Sequence, residues 1–422
     1  MIDKNKEELF SEGKTFCMYP WVHLHTQPTA VAAPCCIAKS CETYTGVGNA
    51  KTQRLMELVN SPKMSQLRLD MLNGVKNEEC ERCHFHEEKG IQSSRHFANR
   101  EFGHYFDEAM SYTNDDGSLS TFKMLYFDVR FSNICNFKCR TCGQEFSSQW
   151  EYENIKSNVS YAQSFPKNTN KNFLEDILNQ IDFMEVAYFA GGEPLITEEH
   201  YILLEEMIKR KRTNIRLRYN SNMSNLKFKD KDLLSLWKHF KNPIDIYASI
   251  DHVKERAEYI RNGTNWATVE ENFHKVKNTE NISLQINTVL SVFNYLTIDE
   301  FYKYLLDTNM YSKHSRVSTL YVATTPWHIS PQLLPTQYKA KGQAAIDRAV
   351  QYMKDKDFHH SKIDQLTATN SVIYSKHTWS EHGENFIKEV KRLDSLRNER
   401  FEKVFPELER LLVPTRRIEI PV

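Results

Sequence analysis

Between residues 111 and 330 the apolar positions fall into short runs separated by longer amphipathic stretches. The short runs, rich in β-branched and aromatic residues, predict strands at Met124–Phe131, Glu185–Ala190, Ile215–Asn220, Ile244–Ile250, Ser283–Ser291 and Arg316–Ala323. Helical periodicity marks Asn172–Phe183, Glu198–Arg212, Asp230–Phe240, Trp266–Asn278 and Ile298–Thr308 between them. Strands alternating with helices build parallel βα units. Six such units predict an α/β fold, a partial (β/α)6 TIM-like barrel, open rather than closed at eight strands. Active sites in such sheets lie at the C-terminal strand ends.

The flanks read differently. Residues 1–110 hold short apolar runs, one helical stretch near Thr52–Asn73 and most of the cysteines, which predicts a separate cysteine-rich α+β domain. Residues 331–422 open on Pro331 and Pro335 and continue into a charged, helix-favouring run near Glu384–Leu412. They read as a helical C-terminal extension rather than a further catalytic unit. The predicted division is therefore 1–110, 111–330 and 331–422, within the capacity of 422 residues.

Lys+Arg and Asp+Glu both number 55, so the chain is formally neutral and exerts no global pull on nucleic acid or anionic membrane. The basic run Lys209 to Arg212 follows Glu198 and Glu199 at the other end of one segment, as a helix dipole favours. The opening MIDKNKEELFSEGK lacks the apolar core of a signal peptide, and no stretch is apolar enough to span a membrane. The expected location is the cytoplasm. Nine cysteines in a reducing compartment are not expected to pair as disulfides. All nine precede Gly143, a clustering that points to thiolate chemistry.

Cys135, Cys139 and Cys142 sit on one loop directly after the first strand, YFDVRF. A loop of that length wraps a [4Fe-4S] cubane and ligates three irons, leaving the fourth without a local protein ligand. A small molecule with amino and carboxylate groups, such as S-adenosylmethionine (SAM), can chelate that iron. A zinc site would want a fourth Cys or His, and the next histidine is the distant His200.

The CxxxCxxC loop resembles the signature of the radical SAM superfamily. Ala190-Gly191-Gly192-Glu193-Pro194, closing the second strand, resembles the family's GGEP segment, whose backbone receives the SAM amino group. Ser221 and Asn222, ending the third strand in Tyr219-Asn220-Ser221-Asn222, resemble the polar strand end near the ribose. Ala248-Ser249-Ile250-Asp251 followed by Tyr259-Ile260-Arg261-Asn262-Gly263 resembles the pattern of the peptide-modifying branches, where Ser and Arg approach the SAM carboxylate. The resemblance thus implies cofactor contacts at Gly191, Gly192, Glu193, Pro194, Ser221, Asn222, Ser249 and Arg261. One departure is Thr141, where the family often places an aromatic residue over the adenine.

The other six cysteines are Cys17, Cys35, Cys36, Cys41, Cys80 and Cys83. Their order, together with Pro34-Cys35, Gly48-Asn49, Asn60-Ser61, Leu67-Arg68 and Cys80-x-x-Cys83, is similar to the SPASM/twitch auxiliary-cluster module. Here it precedes the barrel rather than following it, and Thr29-Ala30 stands where a Gly is usual. The resemblance implies that Cys17, Cys35, Cys80 and Cys83 hold an auxiliary [4Fe-4S] cluster. Cys36 and Cys41 either replace Cys35 or are plain thiols. Spacing alone suits zinc at Cys80 and Cys83 equally well.

The implied activity is reductive cleavage of SAM to a 5′-deoxyadenosyl radical that abstracts hydrogen from a substrate. The implied partners are an electron donor such as flavodoxin or ferredoxin and a peptide, with a sugar or nucleotide derivative as the alternative. The rival class is a non-catalytic zinc-binding interaction protein. Aromatic and His residues in Tyr321–His328 either line a pocket or pack in the core.

Overall fold

The computed structural model describes residues 5–11, 15–165, 170–315 and 319–413. The chain divides into two compact units. One comprises Met1–Asn136, Gln144–Asn220 and Leu226–Asp245; the other comprises Phe137–Gly143, Ser221–Asn225 and Ile246–Val422. The protein is mixed α/β with mostly parallel strands and a helical C-terminal part.

In the first unit the N-terminal residues add strands to the edge of the first βα strand. Strands β1 (His23–Thr26), β2 (Val31–Ala33) and β3 (Gly48–Asn49) form an antiparallel ribbon. Helices α1 (Pro62–Leu72), α2 (Glu81–Glu88) and α3 (Ser94–Phe102) follow. The anticipated single helix over Thr52–Asn73 is instead two, Leu55–Val59 and α1. Ser61 caps α1 by accepting from the Met64 amide, and Pro62 occupies its first turn, so Asn60-Ser61 is a break.

β1 lies parallel to β4 (Tyr126–Val129), pairing His23 with Tyr126 and His25 with Asp128. Beyond β4 come α4 (Ser148–Lys156), α5 (Lys171–Asn179), β5 (Val186–Phe189), α6 (Glu198–Lys209) and β6 (Arg216–Ser221). β4, β5 and β6 are parallel neighbours. The helix anticipated at Asp230–Phe240 is shorter, Leu233–Trp237, because a two-residue hairpin takes Lys227 to Asp232.

The second unit carries the later βα elements. These are β7 (Ile244–Ser249, which starts in the first unit), α7 (Lys254–Ile260), α8 (Trp266–Lys277), β8 (Ile282–Leu290), α9 (Ile298–Asp307) and β9 (Thr319–Val322). β8 and β9 are parallel, and the Ile250 amide donates to the Asn287 carbonyl at 3.1 Å. Residues 316–318 of the anticipated last strand, residues 1–4 and 12–14, and residues 414–422 lie outside the described residues. Helices α10 (Thr336–Asp355), α11 (His360–Tyr374) and α12 (Trp379–Arg397) complete the chain's helical part. Among the described residues no helix is long and apolar enough to cross a membrane.

Candidate functional site

In the first unit, Cys17, Cys35, Cys80 and Cys83 line one cavity of about 440 Å³ with Tyr19, Leu67 and Met71. Each thiol arrives by a different local device. Cys17 precedes the Tyr19–Val22 turn, Cys35 follows Pro34 at the end of β2, and Cys80 and Cys83 flank the start of α2. Burial pushes the Cys17 and Cys35 thiols well above their ordinary range and Cys80 to about 12. Burial also raises Cys83, against the opposing Arg95 amide and Ser93 hydroxyl. Four thiols lining one space, Cys17 and Cys83 buried and Cys35 and Cys80 partly so, are a donor set suited to a metal cluster, whose positive charge would deprotonate them outright. Among the described residues no three Cys, His, Asp or Glu side chains converge as the ligands of a single ion do.

The two remaining cysteines stand apart from that cavity. Cys41 packs with Ala33 and Ala38 and donates to the Cys35 carbonyl at 3.3 Å. Cys36 is exposed.

The CxxxCxxC loop begins in the first unit. The Cys135 amide donates to Ser148 Oγ at 3.2 Å, and Ser148 Oγ donates to the Cys135 carbonyl at 3.2 Å. The Asn133 amide side chain donates to the Gln144 carbonyl and Glu151. Against this framework lies the Gly-Gly-Glu-Pro turn. The Glu193 amide donates to the Ile134 carbonyl at 2.8 Å, and Glu193 Oε1 accepts from the Leu195 amide at 3.2 Å. A Cβ on Gly192 would stand 2.1 Å from the Ile134 oxygen, so only glycine permits this approach. Gly191 has φ +124°, a conformation that side chains disfavour. Gly192 and Pro194 line a cavity of about 330 Å³ with Ser132, Phe189 and His200.

Cys139 and Cys142 belong to the second unit. There the loop pairs with the end of α7: the Lys138 amide donates to the Asn262 carbonyl at 2.9 Å and the Arg140 amide to the Ile260 carbonyl at 2.7 Å. Arg261 Nε stands 2.8 Å from Asp251, and its Nη1 donates to Cys139 Sγ at 3.8 Å. Burial raises the Cys139 thiol and the Arg261 charge opposes that rise. Burial alone would lower Arg261, but Asp251 and Cys139 hold the guanidinium above its usual range.

Asn222, Ser249 and Arg261 come together around a cavity of about 210 Å³ lined also by Phe137, Asp251 and Trp266. Ser221 does not line it; its hydroxyl accepts from the Met223 amide at 3.0 Å. The amide, hydroxyl and guanidinium groups gathered here are of the kind that take a carboxylate and a ribose, and the Cys139 thiol stands beside Arg261.

Three features escaped the sequence reading. Asp251 was visible as the end of Ser-Ile-Asp, but its pairing with Arg261 needs the fold. Arg140 stood between two cysteines with no signal of its partners. The third is a buried charge group in the first unit. His25 Nδ1 lies 3.0 Å and Arg130 Nε 3.2 Å from opposite oxygens of Asp128, which is fully buried. Burial would raise the Asp128 carboxyl, but Arg130 and His25 hold it well below the usual range. The β1–β4 register creates this contact, and β1 was not anticipated.

Comparison with known families gives two matches. A model of the radical SAM superfamily matches residues 129–306, and a model of an iron–sulfur cluster-binding domain, SPASM, matches residues 17–84. No curated protein matches the chain in sequence. Among solved structures, native anSMEcpe with bound AdoMet and Cp18Cys peptide shares 18% identity over 54% of this chain and 60% of that chain, with TM-score 0.36. Streptococcus suis SuiB bound to S-adenosylmethionine shares 13% identity over 70% of this chain and 63% of that chain, with TM-score 0.37. TYW1 with a lysine-pyruvate adduct shares 12% identity over 55% of this chain and 71% of that chain, with TM-score 0.30. The aligned part thus spans about three fifths of the first two structures.

Proposed function

We propose that the chain, which matches a model of the radical SAM superfamily over residues 129–306 and a model of an iron–sulfur cluster-binding domain over residues 17–84, is a radical SAM enzyme that modifies a peptide. Cys135, Cys139 and Cys142 hold the SAM-binding [4Fe-4S] cluster, and Cys17, Cys35, Cys80 and Cys83 hold an auxiliary one. With one electron from a reduced donor, the bound cluster and SAM would release methionine and supply a 5′-deoxyadenosyl radical able to take hydrogen from an unactivated C–H bond. The protein's own part is to bind and orient. Asn222, Ser249 and Arg261 seat the amino-acid and ribose groups of SAM. Asp251 fixes the Arg261 side chain beside Cys139. Gly191 to Pro194 offer backbone rather than side chain to the cofactor's amino group.

The observation that carries this reading is the gathering of Asn222, Ser249 and Arg261 around one cavity, with Arg261 on Cys139. A peptide substrate is favoured by the Ser249/Arg261 pattern and by the four-thiol module. The setting is the cytoplasm, with flavodoxin or ferredoxin as electron donor, and the working division is 1–110, 111–330 and 331–422. The test is isotope transfer. Anaerobic protein is reduced with SAM and offered perdeuterated peptides, monosaccharides or nucleosides in separate reactions. Deuterium entering 5′-deoxyadenosine from peptides supports the reading; transfer only from the sugar or nucleoside pool overturns the choice of peptide.

A further inference from the structure

The loop that carries Cys139 and Cys142 is gripped by the C-terminal helical segment. Arg140, between these cysteines, is 4% exposed, and its guanidinium lies 3.8 Å over the Tyr259 ring. Its Nη2 donates to Asp394 at 2.7 Å and to Glu399 at 2.6 Å. Both acids are engaged from other sides as well. Asp394 accepts from the Tyr259 hydroxyl at 2.6 Å and from the Phe401 amide at 2.7 Å. Glu399 accepts from Asn262 Nδ2 at 2.6 Å. Asn262 is also the residue whose carbonyl receives the Lys138 amide.

Local structure explains how two acids five positions apart meet one arginine. Helix α12 ends on Asn398 at φ +53°, the left-handed conformation that Asn tolerates. The Glu399 amide then closes back on the Asp394 carbonyl at 3.0 Å. The turn brings both carboxylates to the same side. Phe401 and Phe405, both fully buried, pack against Tyr259 with ring centroids 6.2 and 5.2 Å away. The segment is thus anchored independently of the ion pairs.

We propose that Asp394 and Glu399 are positioning residues for the SAM-binding cluster. Acting through Arg140, they lock the loop between its second and third cysteine ligands and set the charge beside it. The inference rests on the reading that Cys135, Cys139 and Cys142 hold that cluster. Two carboxylates on one guanidinium leave the group net negative. Neutralising an acid therefore makes the cluster easier to reduce, and neutralising Arg140 makes it harder.

The variants are Asp394→Asn/Glu399→Gln together, Glu399→Gln alone as the milder change, and Arg140→Gln. The readouts are loss of the SAM-responsive EPR signal to a ferrous chelator and the midpoint potential of that signal. Breaking a buried pair loosens what it held, so the double variant should lose the signal roughly tenfold faster than the unmodified protein. The potential should rise in Glu399→Gln and fall in Arg140→Gln. Unmodified loss rates and potentials in Glu399→Gln and Arg140→Gln overturn the inference alone. Faster loss with the same potential in both single variants makes the contact merely structural and overturns the positioning role. A Cys135→Ala/Cys139→Ala/Cys142→Ala protein that keeps the SAM-responsive signal overturns the cluster assignment itself.

Discussion

Gly192→Ala is the sharpest perturbation of the contact between the Gly-Gly-Glu-Pro turn and the cysteine loop. The added Cβ would meet the Ile134 oxygen at 2.1 Å, the Ile134 carbon at 2.6 Å and the Asn133 carbon at 2.9 Å. All three are backbone atoms, so no side chain can swing away. The peptide they belong to is pinned by Asn133 on Gln144 and Glu151 and by Ser148 on Cys135. Relief therefore requires the turn to retreat by about 1 Å, to an ordinary contact distance. That breaks the 2.8 Å bond from the Glu193 amide to the Ile134 carbonyl and leaves two inward-facing polar groups without partners. The expected cost is about 2–4 kcal/mol. Gly74→Ala is the control. Gly74 has φ +73° with nothing within 4 Å of the added Cβ, so it carries backbone strain of about 1 kcal/mol and no collision. The assay is urea unfolding of anaerobically purified protein followed by circular dichroism, with SAM affinity measured on the folded fraction. Gly192→Ala should lose the larger stability and weaken SAM binding, whereas Gly74→Ala should bind SAM normally. A Gly192→Ala protein as stable as Gly74→Ala with unaltered SAM affinity would refute the reasoning.

Other expectations are checked as directly. Anaerobic reconstitution should give about eight iron and eight sulfide per chain, and alanine at Cys135, Cys139 and Cys142 should leave about four. A count of four with zinc alongside in the unmodified protein would remove the auxiliary cluster. Cys80→Ala/Cys83→Ala should lose that cluster and substrate turnover yet still form 5′-deoxyadenosine without substrate, provided circular dichroism shows a retained fold. Burial pushes His23 down from 6.5 to about 4. The unfolded chain therefore binds a proton below pH 6.5 that the folded one refuses until about pH 4, and stability falls as pH drops through that window. His23→Gln should lose about 2 kcal/mol less than the unmodified protein between pH 7 and pH 5 in denaturant titrations. Equal losses would contradict the buried neutral imidazole.

What the sequence made legible was what local pattern encodes. The βα strands from β4 to β9 follow from short apolar runs bounded by turn residues, and the cysteine loop follows from its spacing. β1 was opaque because His23-Leu24-His25-Thr26 carries no strand-like alternation of apolar and polar residues. Its histidines are buried only because they find Tyr126 and Asp128 on the neighbouring strand. Helical periodicity runs on from Thr52 to Asn73 through Asn60-Ser61-Pro62, and the start signal of a capping Ser before Pro outweighs it in the fold. Arg261 could be singled out by motif order, but its engagement by Asp251 could not. Nor could the reach of Asp394 and Glu399 to Arg140, since contacts across such sequence separations leave no periodicity to read.

Everything proposed for this chain depends on Cys135, Cys139 and Cys142 supporting reductive cleavage of SAM. The direct measurement is chromatographic detection of 5′-deoxyadenosine and methionine after reconstituted protein is reduced with dithionite and given SAM. The unmodified protein should form both products, slowly and without substrate, and Cys139→Ala should form neither. Continued formation of 5′-deoxyadenosine by the Cys135→Ala/Cys139→Ala/Cys142→Ala protein would contradict that expectation.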